Sequence, residues 1–134
     1  MARDYSLLGD CLRVRGSALT IADLEAQARA VLVDPRTDVI PCELPLGMGS
    51  ITFDGPRRVI RIDPYACIQP TLIHEIVHHS RRRELAAWGQ MEEPVVMVAE
   101  DLLNRYINRS QRRRQWWRET WSAKVPHLDP QGDE

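Results

Sequence analysis

Two histidines four residues apart, His74 and His78, stand in an apolar run that opens at Pro70 and closes at Arg81-Arg82-Arg83. The run has a helical period, with Leu72, Ile73, Ile76 and Val77 on one apolar face. Pro70 suits a first helical turn, where its missing N–H would be unpaired anyway. The arginines suit the last turn, facing the negative end of the helix dipole. In a helix, residues i and i+4 lie one above the other, so both imidazoles leave the same side. Glu75 follows His74 directly, giving His74-Glu75-Ile76-Val77-His78, an H-E-x-x-H pattern. Two histidines so placed can reach one Zn²⁺ at about 2.0–2.1 Å. The glutamate then lies beside the metal, where it can take a proton from a zinc-activated water. A surface helix with two ordinary polar histidines is the rival reading. Ile73, Ile76 and Val77 speak against it, because they bury the helix, and a buried histidine pair needs partners.

The chain that must house this helix has 134 residues and a mass of 15.4 kDa, the size of one domain. Its hydrophobic fraction of 43% excludes a disordered or collagen-like chain. The 18 basic and 19 acidic residues nearly cancel, so any preference for nucleic acid has to be local. The longest uncharged stretch, between Asp63 and Glu75, is 11 residues. That is far short of the roughly 20 a membrane span needs. Cys11, Cys42 and Cys67 are odd in number and widely spaced, which fits reduced thiols and a cytoplasmic location. No signal core follows the N-terminus, in keeping with that expectation.

Before the histidine helix, residues 18–33 read as a helix with Thr20 as cap, Asp23 three residues on, and Asp34-Pro35 as its end. Residues 39–46 are β-prone but broken by Pro41 and Pro45, which suits an edge strand or connector. Ile51-Thr52-Phe53 and Val59-Ile60-Arg61-Ile62 flank a Gly55-Pro56 turn and predict a hairpin. After a linker through Gly89, Glu92-Glu93-Pro94 starts an apolar helix that runs on through Val95, Val98, Ala99, Leu102, Leu103 and Tyr106. A basic, Trp-bearing helix follows at about 110–121. The expected organisation is α+β: one domain over residues 1–121 with a core at about 18–107, then a flexible tail over 122–134.

A catalytic zinc usually has three protein ligands and an open position. His79 points some 100° away from His78 around the helix, and His127 lies in the tail, so the third ligand is sought among Glu92, Glu93 and Glu100. Glu92 shares a face with Val95, Ala99 and Leu102-Leu103, the side that packs inward. Glu93 lies about 100° further round. Glu100 has Asn104 four residues on, a pair that would serve as ligand and support. The resulting order is Glu92, Glu93, Glu100. A glutamate that is not the ligand would simply satisfy the positive helix N-terminus.

The stretch from Thr71 to His79, with Glu92-Glu93-Pro94-Val95-Val96-Met97-Val98-Ala99-Glu100-Asp101-Leu102-Leu103, resembles the small gluzincin-type metallopeptidases. The resemblance is to minimal phage and bacterial H-E-x-x-H domains akin to the ImmA/IrrE and SprT-like groups, and it covers roughly residues 38–107. It implies zinc held by His74, His78 and Glu92, with Glu75 as the general base of peptide hydrolysis. It further implies a zincin-like fold in which a small antiparallel sheet covers the zinc helix and its edge strand holds an extended peptide. The chain departs from the family at Val96, where many relatives have an Asn or Asp supporting the first histidine. Glu100 with Asn104 therefore stays among the candidates.

Tyr106 and Tyr65 are the candidates for steadying an oxyanion. Arg112, Arg113 and Arg114 interleave with Trp116 and Trp117, the residue types of a surface that tracks phosphates and stacks bases. The competing and preferred reading has Trp117 and Trp121 packing back on the domain at i, i+4 while the arginines stay in solvent. Two functions from different classes follow. One is a zinc-dependent metallopeptidase acting on a peptide or protein; the other is a non-enzymatic regulatory, virion or nucleic-acid-associated protein with a structural or inactive zinc site.

Overall fold

Thr20 starts the first helix by reciprocal capping: its hydroxyl accepts from the Asp23 N–H at 3.1 Å, and the Asp23 carboxylate accepts from the Thr20 N–H at 3.3 Å. Such a box is worth about 1 kcal/mol. The helix, α1, covers Ile21–Val33. The computed structural model describes residues 20–44, 49–86 and 88–125. Within them follow β1 (Thr37–Pro41), β2 (Gly49–Asp54), β3 (Arg57–Ile62), α2 (Ile68–Ser80), a short α3 (Arg82–Ala86), a 3-10 turn (Gly89–Met91), α4 (Glu92–Asn108) and α5 (Gln111–Lys124). The architecture is α+β, as the sequence predicts.

The hairpin forms where alternation and the Gly-Pro turn predict it, with Asp54 opposite Arg57 and Ile51 opposite Ile60. Gly55 has φ +60°, the requirement at the first central position of a type II′ turn. The sheet is mixed rather than wholly antiparallel. Its order is β1-β3-β2, and β1 runs parallel to β3, with Val39 opposite Ile60. Pro41 ends β1 on the outer edge, where a missing N–H costs no ladder bond.

Helix α2 is the centre of the molecule. It packs against β2 and β3 on one side and against α1, α3, α4 and α5 on the others. Leu72, Ile73, Ile76 and Val77 are buried accordingly, each worth roughly 1.5–3 kcal/mol relative to exposure. Helix α4 covers it with Val96, Ala99, Leu103 and Ile107.

Two boundaries differ from expectation. Arg81 caps α2 but is buried, its guanidinium donating to Gln27 Oε1 at 2.9 Å, and Arg82 begins α3 instead of extending a positive helix end. The basic helix runs to Lys124, and Val125 is buried, so residues 122–125 belong to the domain and not to a tail. The Lys124 ammonium fixes this end by donating to the carbonyls of Asp34 at 3.0 Å and Thr37 at 2.6 Å. Residues 126–134 of the expected tail, and residues 1–19 of the expected domain, lie outside the described residues. No described helix is long and apolar enough to cross a membrane.

Candidate metal centre

With its apolar faces covered by the sheet and by α4, α2 leaves one side open, between β2 and α4. His74, Glu75 and His78 occupy it. Helix α4 passes so that Glu93 and Glu100, seven residues apart and hence nearly in line along a helix, meet successive turns of α2. The His74 and His78 rings lie edge to face with centroids 4.9 Å apart.

Each imidazole is held at both nitrogens. His74 Nδ1 lies 2.8 Å from Glu100 Oε1, and His78 Nδ1 lies 2.8 Å from Glu92 Oε2. The two Nε2 atoms converge on one carboxylate, His74 on Glu93 Oε2 at 2.9 Å and His78 on Glu93 Oε1 at 2.8 Å. One ligand atom from each of His74, His78 and Glu93 can be chosen so that all lie within 4.8 Å of one another, close enough to share a metal ion.

A neutral imidazole carries one N–H. It can therefore donate to a carboxylate on one side only. Two carboxylates on each ring require either imidazolium ions or a cation between Nε2 and Glu93. Charge leads to the same point. Glu75, Glu92, Glu93 and Glu100 give −4, and even two protonated histidines leave −2. A divalent cation is the economical counter-charge. The donor set of two imidazoles and a carboxylate is one zinc accepts, and neighbouring donors on a tetrahedral zinc stand roughly 3.3 Å apart. The spacings of 2.8 and 2.9 Å are a few tenths shorter, and Glu93, with its side chain 59% exposed, is free to yield that much.

His74 is pushed above its ordinary pKa first by the hydrogen bond to Glu100, against the opposing effect of burial, with Glu93 and Glu75 adding to the rise. Glu75 is also raised, chiefly because burial disfavours its carboxylate. The two histidines oppose that rise, and Glu93 and Glu100 reinforce it. A carboxylate that resists ionisation beside two histidines has the character of a proton acceptor tuned toward neutrality.

Gly49 completes the site and has no counterpart among the sequence candidates. A Cβ built on it would come 2.6 Å from Thr71 Cγ2, 3.2 Å from Glu75 Cγ and 3.3 Å from Glu75 Oε2. The start of β2 thus lies against Glu75 with no room for a side chain. A glycine opening a strand is the signal that would have pointed to it.

The other candidates fall as follows. Glu92, first in the sequence ordering, meets His78 at Nδ1 and not at the shared Nε2 position. Inward-facing Glu92 reaches the rear of the ring, while Glu93, a further 100° round, faces the open side. Glu100 also meets an Nδ1, and Asn104 accepts from Gln69 Nε2 at 2.8 Å rather than supporting Glu100. Tyr106 lies six residues beyond Glu100, the residue that meets His74, about 9 Å further along α4, and its ring packs 3.8 Å from the Arg113 guanidinium of α5. Tyr65 is 88% exposed before the start of α2, whereas His74 and His78 lie in that helix's second half. His79 turns toward the sheet, its ring 5.3 Å from that of Phe53.

In the basic segment, Trp117 is fully buried and donates its indole N–H to Glu25 at 3.0 Å, so it cannot stack on a base. Trp116 lies under Arg29, 4.3 Å from ring centroid to guanidinium carbon. Arg113 is taken by Tyr106, donating to its carbonyl at 2.9 Å, while Arg112 and Arg114 are exposed. Compared with protein-family models, curated proteins and solved structures, the chain matches none.

Proposed function

We propose that this protein is a zinc-dependent peptidase of the minimal gluzincin type, with His74, His78 and Glu93 as the metal ligands. The observation that carries the reading is the convergence of both Nε2 atoms on the two oxygens of Glu93, inside a site whose net charge is negative. Glu92 and Glu100 hold the two rings by Nδ1, fixing the tautomer in which Nε2 faces the metal. Zinc, when bound, would lower the pKa of water and polarise a substrate carbonyl. Glu75 takes the proton as water adds to the carbonyl and returns it to the leaving amine. Its burial raises its proton affinity for that task. Among the described residues β2 pairs only with β3 and begins beside Glu75, so its other edge can hold an extended peptide across the site. Cys42 and Cys67 are free thiols, which fits work in a reducing cytoplasm.

The test is elemental analysis of protein prepared without chelator, followed by digestion of a denatured protein substrate. Stoichiometric zinc is expected, together with cleavage that falls by a factor of about 10²–10⁴ in Glu75→Gln while zinc is retained. Protein without zinc would overturn the reading. Full zinc with no cleavage by the wild-type chain would leave a non-enzymatic metal-containing protein.

A further inference from the structure

The two-residue turn of the hairpin closes with Asp54 opposite Arg57, so that pair, Thr52 with Val59, and Ser50 with Arg61 exchange the ladder hydrogen bonds. Gly49, Ile51 and Phe53 alternate with them. Their N–H and C=O groups therefore point to the other edge of β2, which no described strand occupies. Gly49 lies against Thr71 and Glu75 on the face toward α2, and the two-residue period of a strand puts Ile51 and Phe53 on that same face. The Phe53 ring accordingly lies 5.3 Å from that of His79. It is still 53% exposed, a large apolar group on an open edge. The Arg82 guanidinium stands 5.7 Å from the Phe53 ring centroid, at the start of α3. Arg82 is exposed, and no carboxylate among the described residues pairs with it. Arg58, opposite Phe53 on β3, is bonded to Asp34 and Thr37 instead. The glutamates that meet the histidines all belong to α4. The wall made by β2 and α3 thus carries an exposed cation, and the facing wall carries the anions.

A peptide laid along this edge exchanges hydrogen bonds with Gly49, Ile51 and Phe53. The peptide residue opposite Phe53 then has its side chain on the same face as the Phe53 ring, the two Cβ atoms about 4.5–5.5 Å apart. A glutamate in that place lays its methylenes on the ring and brings its carboxylate within reach of Arg82, whose fork matches it. A lysine meets like charge instead. We propose that the peptide this edge selects carries an acidic side chain opposite Phe53, with Arg82 as the specificity-determining residue. The inference rests on the peptidase reading for the fate of the peptide. Phe53 is four residues from Gly49, which touches Glu75, so the acid stands within about four residues of the bond that is cut, roughly 13 Å along the strand.

The test is peptide binding to the full chain, zinc-loaded and carrying Glu75→Gln to arrest turnover, followed by fluorescence anisotropy. The probes are two labelled peptide pools that differ only in having Glu or Lys at one fixed position among randomised uncharged residues. The Glu pool should bind about tenfold more tightly than the Lys pool at low salt, and the gap should close as salt rises. Adding Arg82→Glu should invert the order, a gain that misfolding cannot imitate. Arg83→Glu changes the net charge equally one residue away and should leave the Glu pool ahead. In parallel, the wild-type chain digests an unlabelled random peptide library, and mass spectrometry reads the residues around each cut. Acidic residues should be enriched at one position near the cut and replaced there by Lys and Arg in Arg82→Glu. Equal binding of the two pools, a preference that survives Arg82→Glu, or one lost equally in Arg83→Glu would overturn the proposal. Acid-selective binding that inverts in Arg82→Glu, without cleavage by the wild-type chain, would retire the peptidase reading and uphold the inference. Cleavage without acidic preference would do the opposite.

Discussion

The contact between Gly49 and α2 gives the sharpest mutational test of the site. In Gly49→Ala the new Cβ would lie 2.6 Å from Thr71 Cγ2, where ordinary contact begins at 3.4 Å, leaving about 0.8 Å to be absorbed. Thr71 is buried and β-branched, so its methyl cannot swing aside cheaply. The strain then separates β2 from α2 or displaces Glu75. Overpacking of this kind costs about 1–3 kcal/mol. With an unfolding entropy near 2.1 cal/mol/K per residue, that lowers Tm by roughly 4–11 °C for a chain of this length. Displacing a reacting group by about 1 Å costs on the order of 100-fold in turnover. The three proposed ligands lie on α2 and α4, so zinc content should not change. Calorimetry, elemental analysis and peptidase turnover read the three effects separately. Thr71→Ser removes the clashing methyl, and combined with Gly49→Ala it should recover at least about 0.5 kcal/mol of the loss. Turnover should stay low, because the contacts of 3.2 and 3.3 Å with Glu75 persist. A Gly49→Ala protein with wild-type Tm and turnover would refute the reasoning, as would a loss of zinc parallel to the loss of activity.

Glu93→Gln should abolish stoichiometric zinc, whereas Glu92→Gln and Glu100→Gln should weaken zinc binding only about 10–100-fold. Competition with a chromogenic chelator distinguishes these outcomes. In the metal-free protein, His74 has a raised pKa, so its pairing with Glu100 contributes stability that is fully present below its unfolded value of 6.5 and is lost as pH rises through the folded value. Glu75, also raised, loses stability in the same sense as pH climbs above 4.5, while desolvated His79 acts oppositely below 6.5. Metal-free Tm should therefore fall as pH rises above 6.5, and the increment given by zinc should grow over the same window, because binding requires unprotonated imidazoles. Thermal melts with and without chelator at several pH values check both trends. Trp117→Ala should cost about 3–5 kcal/mol, read by denaturant unfolding, since it empties a fully buried site and removes a donor from Glu25.

Helices, hairpin and the H-E-x-x-H turn were legible because each is written locally: Thr20 with Asp23, Gly55 with Pro56, and the period of Leu72 to Val77. The parallel pairing of β1 with β3 was not, since nothing within β1 names its partner 21 residues away. That His74, Glu75 and His78 share one side of α2 was legible from spacing alone. Which of Glu92, Glu93 and Glu100 meets both histidines was not, because it depends on how α4 is rotated and offset against α2. Helical geometry gave the 100° between Glu92 and Glu93, but an inward-facing residue proved to meet the rear of an imidazole. For the basic segment the fold shows the preferred reading, Trp117 and Trp121 packed against the domain, but their partners were not legible. Sequence records that Trp116 and Trp117 are adjacent, while only the fold records that Glu25 and Arg29 await them.

The bonds from Trp117 to Glu25 and from Lys124 to Asp34 and Thr37 span 92, 90 and 87 residues. Contacts of such separation form late, because loop closure must precede any gain from them. Until α5 docks, this flank of α1 lacks its covering, and α2 packs against a neighbour not yet fixed in place. The cluster of His74, His78 and Glu93 in the middle of the chain therefore depends on the last described helix. On a ribosome His74, His78 and Glu93 emerge well before the framework that holds them rigid, so under the proposed zinc function a metal captured early would be held by a flexible chelate and tightened only once α5 has docked.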